Sequence, residues 1–195
     1  MSGAGARGTV TDHTRVLVIA FVASEATFFA FLILAYLYFG AQVTRVAAHE
    51  LSVGRMALFS GLLWASSLTL LLAERALRRE RRRGFGVALG ATVALGVAFL
   101  AGEAGEWAEL IHRGATVSRD LFGTTFFTLT GVHGLHVAVG LVVLVVAGGL
   151  ARVAAGRGAG APSHLLGAAA IYWHFVDVVW LVIYPVVYLG SLGAR

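Results

Sequence analysis

Tyr172-Trp173-His174-Phe175-Val176-Asp177-Val178-Val179-Trp180 decides the fold of this chain. The stretch is apolar enough to cross a bilayer, yet it carries a histidine and an aspartate. Such groups are costly at membrane depth and mark functional positions there. On a helix His174 and Asp177 lie three residues apart on one face, where they can share a neighbouring helix or an internal hydrogen-bond network.

The rest of the chain has the same character. Of its 195 residues 58% are apolar and the mean hydropathy is +0.84, well above the roughly 45–50% apolar content of soluble domains. The apolar blocks predict an all-α integral membrane bundle of five spanning helices, roughly 15–40, 53–77, 84–111, 121–151 and 164–192. Residues 1–195 read as a single transmembrane domain with little left for a soluble one. The absence of cysteine removes disulfides, thiolate metal sites and thiol nucleophiles together. The first apolar block is too long for a signal peptide and lacks a cleavage site, so it is expected to remain as a helix.

All fifteen basic residues are arginine, and basic loops are retained on the cytoplasmic side. An N-terminus in the cytoplasm places Arg7, Arg15, Arg75, Arg78, Arg79, Arg81, Arg82, Arg83, Arg152 and Arg157 inside, ten against five, with the C-terminus outside. The cluster from Arg75 to Arg83 joins two membrane helices without interleaved aromatics. It therefore reads as a topogenic or phospholipid-facing loop, and no nucleic-acid partner is expected.

Depth counting brings several ionisable groups to one layer. At 1.5 Å per residue, Glu25 lies about 15 Å from Arg15, half of a roughly 30 Å hydrocarbon core, and His133 lies about 18 Å from Leu121. His174 comes out at a similar depth, and His136 and Asp177 flank the layer by about one turn. A bundle that gathers Glu25, His133, His136, His174 and Asp177 near its middle must turn them inward, toward each other, toward water or toward a partner protein. Three readings compete: hydrogen-bond glue that fixes helix register, a metal or haem site built on the histidines, and proton handling centred on Glu25. The spacing matches no dedicated ligand motif, so no metal residues are assigned.

In the third helix Gly86, Gly90, Ala94, Ala98 and Gly102 recur every four residues and predict a stripe where a second helix approaches closely. The next position in that series is Glu106, expected at the outer end and able to bind across to a neighbouring helix. Glu103, Glu109 and Asp120 share that region and could form an acidic rim attractive to a basic electron carrier. Pro185, within the outer part of the fifth helix, is expected to kink or end it.

Four segments, in order, resemble the five-helix bacterial form of subunit III of the haem-copper respiratory oxidases, the cytochrome c oxidase subunit 3 family. Helix one carries Ser24-Glu25-Ala26-Thr27-Phe28-Phe29, similar to the family's Ser-Glu followed by aromatics. Helix three ends Leu95-Gly96-Val97-Ala98-Phe99, with Glu106-Trp107 in place of the family's glutamate and tyrosine. Helix four carries Thr130-Gly131-Val132-His133-Gly134-Leu135-His136-Val137, where the family has Thr-Gly-Phe-His-Gly-x-His-Val and only Val132 departs. The string at 172–180 completes the set, and together the four cover essentially the whole chain.

The resemblance implies an accessory subunit of a proton-translocating terminal oxidase in the bacterial plasma (inner) membrane, with aerobic electron transport as its setting. Haem and copper would belong to partner subunits I and II, leaving no cofactor in this chain beyond bound phospholipids. It would pack on subunit I, bind phospholipid and sustain proton uptake, with a larger respiratory supercomplex as a further partner. Glu25 would be the intramembrane carboxylate beside the lipid cleft, and His133, His136, His174, Asp177 and Glu106 the buried polar network or proton antenna. Arg152 has the position, though not the spacing, of a family arginine that meets a lipid phosphate. The two leading helices of the seven-helix form are lacking, so the lipid cleft is expected to open to bulk lipid. Subunit III of a quinol oxidase, the related subunit accompanying nitric oxide reductase, and a freestanding haem-binding cytochrome remain as alternatives.

Overall fold

The chain is described here from a computed structural model, whose backbone covers residues 3–40, 51–118, 120–156 and 163–192. Side chains are described within those ranges except at 3–15, 155–156 and 163–164. Five long helices account for nearly all of it: α1 (Gly3–Tyr38), α2 (Val53–Arg78), α3 (Arg82–His112), α4 (Leu121–Gly156) and α5 (Ser163–Tyr184). Each contains a segment long and apolar enough to span a membrane. The helices are apolar almost all round, as expected where lipid rather than water faces the outside. α1 begins twelve residues before the expected start at 15, and α4 runs five beyond the expected end at 151.

Pro185 neither breaks nor sharply ends the last span. The chain continues from α5 through a π-helical turn, Pro185–Leu189, into the single turn α6 (Gly190–Leu192). Proline has no N–H and its ring crowds the carbonyl four residues back, so a locally widened turn absorbs the conflict while the helix continues.

α2, α3, α4 and α5 close into a ring, with α2 against α3, α3 against α4, α4 against α5 and α5 back against α2. α1 lies outside this ring and packs chiefly against α4 and α5. It leaves Phe31, Leu34 and Leu37 exposed, a lipid- or partner-facing surface. In the ring, Leu63, Leu70, Phe99, Val137, Trp173 and Trp180 are buried. Lipid is as apolar as these side chains, so close packing and internal hydrogen bonds hold the ring together.

Glycines provide the close packing by seating large side chains. A methyl at Gly96 of α3 would lie 2.8 Å from both Trp173 and Leu141, and one at Gly140 of α4 would lie 2.9 Å from the other edge of Trp173. Gly131 seats Trp107, and Gly102 seats the ring of Phe59. The four-residue stripe on α3 is therefore not a helix seam. Gly90 has nothing within 4 Å and Ala94 is exposed. Since α-helical periodicity is 3.6, a four-residue series drifts around the helix and passes from the packed face to the outside.

Two turns stop helices by left-handed residues. Gly114 (φ 82°) follows α3, with Ala115 N–H donating to Leu110 C=O at 2.9 Å. Between α2 and α3 the same device uses a non-glycine, Glu80 (φ 56°), and Arg81 N–H donates back to Ala76 C=O at 2.9 Å.

Candidate functional site

The layer of ionisable groups resolves into separate centres rather than one network. The first joins α1 to α4. Glu25 Oε2 lies 3.1 Å from His136 Nε2, with both side chains largely but not wholly covered. On its other edge, His136 Nδ1 lies 2.7 Å from the carbonyl oxygen of Val132, one turn back on α4. A carbonyl can only accept, so Nδ1 carries a hydrogen and donates it. Nε2 then either accepts a proton held on Glu25 or donates one to the Glu25 carboxylate. Either arrangement places one proton between Nε2 and Oε2. Phe29 stands edge-on to His136, with ring centroids 5.0 Å apart, and Tyr172 O–H donates to the His136 carbonyl at 3.3 Å.

The second centre joins α2 to α5. His174 Nδ1 lies 3.1 Å from Ser67 Oγ, and Ser67 O–H donates to Asp177 Oδ2 at 2.5 Å. His174 and Asp177 thus share a face, as their spacing predicts, and one serine hydroxyl on the facing helix links them. Asp177 Oδ1 and His174 Nε2 are buried without a hydrogen-bond partner among the described residues.

His133 stands apart at the centre of the ring. It is fully buried, stacked on Trp180 with centroids 4.7 Å apart, and edge-on to Phe99 at 5.9 Å. Neither ring nitrogen has a hydrogen-bond partner among the described residues. Its contacts are with the aromatic rings packed around it.

Glu106 organises one end of the bundle. Its Oε2 accepts from Tyr188 O–H at 2.6 Å, and its Oε1 accepts from the backbone N–H of Ser52, just before α2, at 3.1 Å. One carboxylate thereby ties α3 to the start of α2 and to the π turn after α5. The acidic-rim expectation is corrected here. Glu103 is buried, with Oε2 pressed against Gly134 of α4. Glu109 pairs with Arg55 at 2.6 Å and with Arg113, and Asp120 Oδ1 accepts from Gly123 N–H at 2.7 Å at the start of α4. Glu103 is thus withdrawn from the surface, while Glu109 is neutralised in a surface ion-pair cluster with Arg55 and Arg113 and Asp120 is half-buried at the start of α4.

Arg152, near the far end of α4, is exposed, and its guanidinium packs over Gly86 of α3. Sixteen residues separate it from His136, about 24 Å along the helix, so Arg152 and Glu25 occupy different depths. Among the described residues no three histidine or carboxylate side chains are grouped to hold a metal ion.

A row of serines escaped the reading of sequence. Trp173 Nε1–H donates to Ser66 Oγ at 3.0 Å and Trp180 Nε1–H to Ser60 Oγ at 2.8 Å, both buried. Ser60 and Ser66–Ser67 are about two turns apart on α2, as are Trp173 and Trp180 on α5. That matched period was the available signal.

Comparison with known proteins gives a family match. The model of the family described as cytochrome c oxidase subunit III matches residues 3–192. The chain is 34% identical over 176 residues to a cytochrome c oxidase subunit 3 of Synechocystis sp., covering 88% of this chain and 73% of that protein. It is 33% identical over 179 residues to a cytochrome c oxidase subunit 3 of Corynebacterium diphtheriae, covering 87% and 84% respectively. It is also 35% identical over 132 residues to a quinol oxidase subunit 3 of Bacillus subtilis, covering 68% and 64%.

Proposed function

Because this chain belongs to the cytochrome c oxidase subunit III family, we propose that it serves its haem-copper terminal oxidase as an accessory subunit without a redox centre. Oxygen chemistry then takes place at haem and copper in subunits I and II, and this multi-pass chain flanks subunit I in the bacterial inner membrane. The N-terminus lies in the cytoplasm and the C-terminus outside, the orientation favoured by the arginine distribution. Phospholipid bound near Glu25 and at Arg152 belongs to the same reading.

The observation that carries the mechanism is the Glu25–His136 pair. It sits where the outlying helix α1 meets the ring, about midway through the first span, with Nε2 and Oε2 close enough to share a proton. A neutral pair is far cheaper in the bilayer than a lone charge. It can accept or release a proton when water or a partner's polar group reaches it. The pair is therefore suited to keeping a proton reserve beside the uptake path of subunit I. His174, Ser67, Asp177 and Glu106 hold the ring in register, and His133 fills its centre.

Glu25→Gln in the assembled oxidase keeps a hydrogen-bonding side chain but removes the exchangeable carboxyl proton. The expected result is normal assembly with slower proton uptake or a shorter catalytic lifetime during repeated turnover. Unchanged uptake and lifetime in a fully assembled variant would leave the pair as helix glue only. Relatives include subunits of both cytochrome c and quinol oxidases, and the electron donor is set by the partner subunits.

A further inference from the structure

The α2–α3 hairpin leaves a groove of about 820 Å³ on its outer side, within the roughly 300–1,000 Å³ typical of small-molecule sites. Small residues open it. Ala76 on α2 and Gly84, Ala88 and Ala91 on α3 form the floor, and the exposed side chains of Leu72 and Val87 form apolar walls. Lining positions run along α2 from Thr69 into the turn at Arg79, and from Arg81 in that turn along α3 to Ala91. Ten residues on each helix make a furrow about 15 Å long, half of a roughly 30 Å hydrocarbon core and so the depth of one leaflet.

Charge is confined to one end. Arg75, Arg79, Arg81 and Arg83 line the groove at the hairpin mouth. None of these four has an ion-pair partner among the described residues. Glu80 occupies the tip of the turn, and the mouth still carries a clear excess of positive charge. An apolar trough one leaflet deep, ending in four arginines at headgroup level, has the shape and charge of one kind of occupant.

We propose that this groove holds one anionic phospholipid, with its phosphate on the arginines and one acyl chain along the furrow between α2 and α3. The groove is distinct from the Arg152 position. Gly86, which carries Arg152, and Leu89, which meets Gly148 of α4, point to the opposite side of α3 from Gly84, Val87 and Ala88. The site depends only on membrane insertion of the hairpin and not on the role assigned to Glu25.

The test is a lipid titration of the full chain in mild detergent, followed by native mass spectrometry, with phosphatidylglycerol and phosphatidylcholine as probes. At this groove wild type should hold one phosphatidylglycerol, counted as the lipid that the Val87→Trp variant lacks, in preference to phosphatidylcholine, and glycerol phosphate should not displace it. Arg81→Gln with Arg83→Gln should weaken retention about fivefold for each arginine removed. Val87→Trp keeps every arginine and changes an exposed side chain, yet should fill the furrow and reduce retention at least tenfold. Equal retention of the two lipids, displacement by glycerol phosphate, or full retention in the Val87→Trp variant would each overturn the proposal. Co-purification of oxidase partners with the same variants reads the subunit III assignment separately, so either idea can fail alone.

Discussion

Gly96→Ala probes the packing that holds the ring together. A methyl there would stand 2.8 Å from Trp173 Cη2 and 2.8 Å from a methyl of Leu141, about an ångström inside comfortable contact. Trp173 cannot retreat. Gly140 of α4 lies close against its far edge, and its indole N–H is fixed to Ser66 at 3.0 Å. Overpacking a rigid site costs about 1–3 kcal/mol, while alanine in place of glycine within a helix gains up to about 1 kcal/mol. The net expectation is a loss of about 1–2 kcal/mol. Gly90→Ala is the matched control on the same helix, since nothing lies within 4 Å of that position, and it should gain up to about 1 kcal/mol. Unfolding by detergent titration, followed by circular dichroism in mixed micelles, measures both. If Gly96→Ala proves as stable as Gly90→Ala, the wedge of Trp173 between α3 and α4 is not what holds those helices.

Ser67→Ala removes the hydroxyl that links His174 and Asp177, two hydrogen bonds at about 0.6 kcal/mol each in a membrane interior; a loss near 1 kcal/mol is expected in the same titration, and none would discount the link. His133→Leu removes no hydrogen bond among the described residues, and trading an unpartnered polar ring for an apolar side chain should be near neutral; a loss above about 3 kcal/mol in that assay would reveal a missed partner. Glu80→Gly relieves a left-handed non-glycine residue in the α2–α3 turn and should stabilise by up to about 1 kcal/mol; destabilisation would show that the turn depends on the glutamate side chain.

The spans were legible because a helix facing lipid needs a long apolar run, and little else produces one. Their ends were less so, since α1 and α4 continue past the apolar stretch where polarity no longer reports on the helix. Glu106 tying neighbouring elements, and His174 with Asp177 on one face, followed from spacing alone. The division of the mid-depth groups did not. Residue counting gives depth but not azimuth, so it could not tell that Glu25 meets His136 or that His133 faces aromatic rings. The small-residue stripe on α3 misled for the same reason, because glycine creates space without saying which side chain fills it. Ser60, Ser66 and Ser67 passed unnoticed since a hydroxyl scarcely alters hydropathy, although those serines receive the last helix's tryptophans and aspartate.

Purification through a C-terminal tag from native membranes in mild detergent, with a redox difference spectrum and identification of the associated chains, tests the assignment most directly. Haem signals should travel with larger partner subunits and vanish when this chain is isolated. Haem retained by the isolated chain, or purification free of any oxidase subunit, would contradict it.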